Sequence, residues 1–222
     1  MTIQSDTPPS ERTRIRRLAE LANYERSALH AIIDAAYLCQ IAFHDEKGTH
    51  CIPMACWREG DHLYIHGSNG GRLLKLLSGG RQVCVAITHL DGLVLARSAF
   101  NHSMNYRSVV IYGSFERVTN ETDKRAALDL FMDKLAPGRL AEVRPGSDKE
   151  FAATTVMRIS LDEAVSKIRT GGPVDDEEDM DIPVWAGVLP FNQLQSTPVV
   201  DESVIVEAPA YVQRWDKSGI DD

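Results

Sequence analysis

The sequence predicts a β-rich α+β domain, a small barrel with peripheral helices, and three observations predict it. Short runs rich in β-branched and aromatic residues follow one another between positions 37 and 118, separated by turn residues, as in antiparallel meanders. Two segments keep helical period instead: Ala28, Leu29, Ile32, Ile33 and Ala36, then Ala127, Leu128, Phe131, Met132 and Leu135. The 222 residues suit one substantial domain whose core needs no staples.

Residues 1–10 are polar, contain Pro8 and Pro9, and read as a mobile N-terminal arm. Residues 11–22, with Arg12, Arg14, Arg16 and Arg17, read as a short basic helix. A second helix spans 23–36, capped by Asn23 or Ser27. Strands follow over 37–43, 51–57 and 63–66, joined by turns at 45–48 and 59–61. Tyr37, Phe43, Trp57 and Tyr64 are their core aromatics. Further strands read over 83–88, 93–99 and 106–118, the last long enough to bend, with Gly113 a bulge or close-approach point. Asn120 caps a helix that Pro137-Gly138 closes. Residues 154–161 form a strand, 162–168 a helical turn or a further strand, and 185–191 an apolar island. The chain thus divides into the arm 1–10, a barrel domain 11–195 and an extended C-terminal wrap 196–222.

Of the net charge of −8, six units come from Asp175, Asp176, Glu177, Glu178, Asp179 and Asp181, which leaves −2 elsewhere. Such a run reads as a solvated loop or as a partner for the N-terminal arginines, and four arginines on one segment do not make a nucleic-acid protein. Cys39, Cys51, Cys56 and Cys84 form no C-x-x-C pair, and neither a signal peptide nor a membrane-spanning run is present, which places the chain in the cytoplasm. His30, His44, His50, His62 and His89 are scattered with no i, i+4 ligand pair among them, so no metal site is expected. No nucleophile elbow or carboxylate pair marks a hydrolase, and no catalytic side chain is singled out.

Residues 62–77 read as strand, glycine-rich turn and helix start. Ser68 would cap the helix, Gly67, Gly70 and Gly71 would let backbone approach a ligand, and Arg72 and Lys75, three apart, would share one face. Two readings stand: a phosphate cradle, or a helix with a polar entrance and two solvated cations. Arg97 and Arg107 also carry two readings, a positive wall to a ligand cleft or partners of carboxylates. Lys167 and Arg169 address either a phosphate or the loop that follows them.

Four further stretches join this one: Ile52-Pro53-Met54-Ala55, the block 91–110 containing Leu95-Ala96-Arg97-Ser98 and Met104-Asn105-Tyr106-Arg107-Ser108, the segment Ser166 to Pro173, and Val184 to Pro190. Together they resemble the pyridoxamine 5′-phosphate oxidase-related flavin-binding family, in its flavin-nucleotide-binding and nitroimidazole-resistance-like branch, over about residues 12–192. The resemblance implies an FMN-binding split β-barrel that dimerises, with FMN in clefts between the subunits. It implies that His66, Gly67, Ser68 and Arg72, with Lys75, hold the ribityl phosphate. Pro53, Met54 and Ala55 would run beside the isoalloxazine ring, Tyr106, Arg107 and Ser108 would begin the strand that approaches it, and Trp185 would stand near the cleft. The oxidase's C-terminal substrate motif is absent, so the resemblance carries FMN and a redox role on a small planar substrate, not vitamin B6 oxidation. Related barrels also hold haem, which makes a haem-handling protein the alternative and a non-catalytic flavin carrier a third reading. Val109, Val110 and Ile111 run consecutively, so one face of their strand calls for a cover, and a homodimer supplies it.

Overall fold

In the computed structural model, which describes residues 7–217, the chain enters its sheet through β1 (Ala22–Asn23) and turns at once into α1 (Arg26–Asp34). Leu29, Ile32 and Ile33 form the buried stripe of α1, as the periodicity predicts. β2 (Leu38–Asp45), β3 (Gly48–Glu59) and β4 (His62–Ser68) follow as a meander. Its two tight turns place Gly48 at φ 116° and Gly60 at φ 53°, where a side chain would be strained. α2 (Arg72–Leu77) is short, and β5 (Gln82–Leu95) and β6 (Ser103–Ser114) form the longest ladder. β7 (Glu116–Arg117) leads into α3 (Glu121–Leu135), whose cap Asn120 accepts from the Asp123 backbone N–H. α4 (Asp148–Ala153) starts from a capping box between Ser147 and Glu150 and runs into β8 (Thr154–Ser160). β9 (Ala164–Arg169), β10 (Gly187–Pro190) and α5 (Ala210–Gln213) complete the order.

Among the described residues ten strands form one antiparallel sheet in the order β1-β9-β6-β5-β2-β3-β4-β8-β7, with β10 on the far end of β5. β3 joins its two halves: residues 48–55 pair with β2 and residues 56–59 pair with β4. One strand serving two parts of a curled sheet makes this a split barrel. Ile41, Leu63, Ile65, Val85, Ile111 and Met157 fill the interior under α1. A smaller cluster of Trp57, Tyr64, Val118, Ala127 and Val156, with Leu128 and Phe131, seats α3 on the outer side.

Several expectations need correction. Residues 11–22 are not a helix: Arg14 and Arg16 both bind Glu11, Leu18 takes a left-handed φ of 52°, and the segment ends in a single 3-10 turn at 19–21. α1 is capped by neither Asn23 nor Ser27; Glu25 precedes it, and Asn23 accepts from the Glu25 N–H instead. The runs 83–88 and 93–99 are one strand, bent by an irregularity between Leu90 and Gly92. Of the two readings of 162–168, the strand holds, as β9 over Ala164–Arg169. Tyr37 is half exposed, whereas Phe43, Trp57 and Tyr64 are buried as predicted. Asp175 pairs with Arg97, not with the N-terminal arginines.

Both ends of the chain bear on the domain division. Residues 1–6 of the predicted arm lie outside the described residues, while Ser10 is tied by its hydroxyl to Glu163. Beyond Pro190 the chain runs without regular structure until α5, where the Tyr211 hydroxyl reaches Glu142 at 2.9 Å. Between these anchors Val199 and Ile205 are almost fully exposed.

Candidate functional site

The turn from β4 to α2 is tied to the α4–β8 junction. Asn69 donates through its side chain to the Ala152 carbonyl at 2.6 Å and through its backbone to Ala153, and it accepts from the Thr155 hydroxyl at 2.6 Å. The N-cap of α2 is Gly71 and not Ser68, because the chain makes a turn at Asn69-Gly70 first. The Ser68 carbonyl accepts from Gly71 at 2.9 Å and its hydroxyl from Gly70 at 3.3 Å. Gly67 answers to packing: a Cβ there would stand 2.9 Å from Leu74 and 4.0 Å from Met54 Cε. This contact also brings Met54 of β3 beneath the turn.

Arg72 and Lys75 go separate ways, against the expectation of a shared anion. Arg72 reaches the β2–β3 hairpin and donates to Asp45, with His50 Nε2 at 3.3 Å; His50 in turn meets Asp45 at 2.9 Å. Burial raises the Asp45 carboxyl, but hydrogen bonds from His50, the Lys47 backbone and Arg72 outweigh it and hold the group below its usual range. Lys75 faces a cavity of about 290 Å³ together with Arg117, Asn69, Ser78 and Thr155. Neither Lys75 nor Arg117 has an ion-pair partner among the described residues. Arg117 escaped the sequence reading, since it ends a strand with no motif around it; only the tertiary fold carries it to Lys75.

Pro53, Met54 and Ala55 lie on β3 against β2, with Pro53 exposed and the other two partly covered. Tyr106, Arg107 and Ser108 lie on β6, where all three are partly buried. Two strands, β2 and β5, stand between β3 and β6, a separation of about 14 Å at the usual strand spacing. One chain therefore does not bring these two sets together. Arg107 holds Asp91 at 2.8 and 2.9 Å, the carboxylate-partner reading of that residue. Arg169 binds Asn105 at 2.6 Å and the Gly172 carbonyl at 3.1 Å, so it steadies the following loop, and Lys167 donates to the Arg17 carbonyl. Trp185 is 62% exposed, and its ring covers Gly187, where a Cβ would come within 2.9 Å.

His66 is singled out by its surroundings, which its sequence context did not do. Its ring lies 4.6 Å from Phe131 and 5.7 Å from Trp57 between centroids, and its Nδ1 is buried without a hydrogen-bond partner. Burial pushes its pKa below the ordinary value, which keeps the imidazole neutral at pH 7. Trp57 Nε1 in the same cluster also lacks a partner. Among the described residues no group of histidine, cysteine and carboxylate side chains is arranged to hold a metal ion, and no helix is long and apolar enough to cross a membrane.

Comparison with known proteins gives this geometry a family. Two solved structures are similar over nearly the whole chain. The flavocytochrome Anf3 from Azotobacter vinelandii shares 40% identity over 94% of this chain and 98% of its own, with a TM-score of 0.89. An FAD and heme binding protein from Mycobacterium smegmatis shares 34% identity over 88% and 97%, with a TM-score of 0.83. A proposed 5-nitroimidazole antibiotic resistance protein from Bacteroides thetaiotaomicron, 24% identical over 66% and 86% with a TM-score of 0.56, shares the fold. No curated protein matches. A family profile described as pyridoxamine 5′-phosphate oxidase matches residues 25–168, well over half of the chain, and the chain belongs to that family.

Proposed function

We propose that this chain is a flavoprotein that seats a flavin phosphate in the cavity between Lys75 and Arg117 and serves an oxidoreductase role. The observation that carries the reading is that cavity: two cations without ion-pair partners face one space beside the β4–α2 turn, with the Ser78 hydroxyl and the Asn69 side chain on its wall. A phosphate dianion neutralises such a pair and accepts from its donors. Met54 under the turn then lies beside the ring that the phosphate tethers, and Pro53 and Ala55 offer backbone to its edge. Bound flavin supplies the electron transfer, while the side chains bind, orient and exclude water. Tyr106 to Ser108 of β6, and Trp185 just before β10, complete the ring pocket from a second copy, which accounts for the distance of the β6 residues from β3 within one chain. Four cysteines that are all free accord with a cytoplasmic setting. Adding FMN or FAD to the purified protein and recording the visible spectrum tests the reading. A bound, shifted flavin spectrum at micromolar concentration is expected, and a folded protein that binds neither flavin overturns it.

A second reading, haem alongside flavin, is favoured by His66. Its buried, neutral imidazole with a free Nδ1 has the chemistry of an axial ligand, and the Azotobacter and Mycobacterium relatives described above are named for haem or cytochrome character. Haem titration should give a Soret band that His66→Ala abolishes; a band unchanged in that variant assigns the ligand elsewhere.

A further inference from the structure

The C-terminal segment covers two cavities at the end of α3 that share no residue with the cavity beside the β4–α2 turn. The larger, of about 930 Å³, lies between Tyr37, Lys134, Trp215 and residues 193–196. The smaller, of about 260 Å³, has Trp215 on its wall too and is otherwise lined by uncharged residues, Leu135, Pro137 and Val212 among them.

Lys134 is the one cation that lines either cavity among the described residues. It is half-buried, and no carboxylate of the described residues stands within ion-pair distance of it. The two acids on the same wall are already engaged: Arg58 holds Asp34 at 2.9 and 2.6 Å, and Asp216 accepts from the Thr197 hydroxyl at 3.3 Å. Lys134 Nζ donates to the Asp34 and Ile33 carbonyls at 3.2 and 3.5 Å, which takes two of its three protons and leaves the third for a ligand. Burial draws the pKa of this ammonium down, Cys56 and Asp34 oppose the fall, and Arg58 adds to it. An anion in the cavity would restore the charge that burial disfavours.

We propose that this pair of cavities binds a planar aromatic acid, its carboxylate on Lys134 and its rings against Tyr37 and Trp215. The larger cavity has the size and make-up of a small-molecule site, a few polar groups set among flat apolar walls. The Tyr37 ring centre lies 5.6 Å from Lys134 Nζ, so an aromatic wall and the cation face the same space. The Gln193 amide and the Ser196 hydroxyl are neutral donors for the second carboxylate oxygen. The smaller cavity receives the far edge of the rings with no charged group to desolvate.

Fluorescence titration of the full-length protein with 2-naphthoate, and with the uncharged 2-naphthamide, tests the proposal. The acid should bind at least about 10-fold more tightly than the amide, the worth of one charge-assisted hydrogen bond. Lys134→Met should erase that preference, costing the acid about 10-fold and the amide nothing. Trp215→Ala, at a position beyond the barrel, should leave the fold intact by circular dichroism and weaken both compounds. Equal affinity of the folded wild-type protein for the two, or binding of neither, overturns the proposal. An unchanged affinity for the acid in Trp215→Ala overturns it as well, which keeps the test decisive even if Lys134→Met, having lost its bonds to the α1 carbonyls, does not fold.

Discussion

Arg97 holds Asp175 at two points: its backbone N–H meets one carboxylate oxygen at 2.8 Å and its guanidinium the other at 2.9 Å, with the Asp175 side chain only 1% exposed. The acidic run is therefore tethered at its first residue, and burial of that carboxylate is outweighed by hydrogen bonds from Arg97 and the Ser98 backbone, which keep it ionised. Asp175→Asn leaves the guanidinium facing a neutral group and should lower the melting temperature. Amide exchange should rise across residues 171–181, and an unchanged exchange pattern there counts against the tether.

Gly92 is close-packed under β10. A Cβ would meet the Leu189 carbonyl oxygen at 2.8 Å and Pro190 Cα at 3.2 Å, both backbone atoms with no rotamer to yield. Gly92→Ala should destabilise by about 1–3 kcal/mol, the usual cost of overpacking, and loosen residues 187–190 first. Chemical denaturation with exchange measurements on that strand checks both parts.

His66 sets a pH dependence whose sign follows from its burial. In the unfolded chain the imidazole takes a proton near pH 6.5, whereas folded it does so only at lower pH. Its contribution to stability is whole above pH 6.5 and is lost as pH falls through the lowered folded value. Melting curves between pH 7.5 and 5 should therefore fall more steeply for the wild type than for His66→Phe, which fills the same aromatic site without titrating. Parallel curves would mean that the ring is not buried in solution.

Lys75 and Arg72 should part in mutagenesis as they do in space. Lys75→Ala should weaken flavin binding by about 1.5–3 kcal/mol, the range for a hydrogen bond to a charged group. Arg72→Ala instead strips Asp45 of one of its partners and should be felt in the stability of the β2–β3 hairpin. Titration calorimetry and thermal unfolding on the two variants separate these effects.

Much of the architecture was legible because it depends on local patterns. The Leu29, Ile32 and Ile33 stripe gave α1, Asn120 gave the start of α3, and Gly48 and Gly60 gave the meander turns. What escaped depends on contacts far apart in the chain. The arginines of 11–17 have good helix propensity, yet Glu11 gathers two of them into a turn. Ser68 has the chemistry of a cap, but Asn69 is committed to Ala152 and Thr155, which carries the helix start to Gly71. The candidate site follows the same division. Lys75 stood out beside the glycines, whereas Arg117, 42 positions away, becomes its neighbour only after β7 docks beside β8.

The C-terminal segment is fastened at Pro190 by its strand and at Tyr211 by Glu142 and Arg139, and between them the Thr197 hydroxyl donates to Asp216 at 3.3 Å and a turn runs from Asp201 to Val204. That arrangement decides what a protease would leave behind. The almost fully exposed stretch around Val199 and Ile205 offers backbone to a cutting enzyme, yet the piece beyond the cut keeps its grip on the far end of α3. A nicked molecule should migrate as the intact one under native conditions and show its missing peptide bond only when denatured.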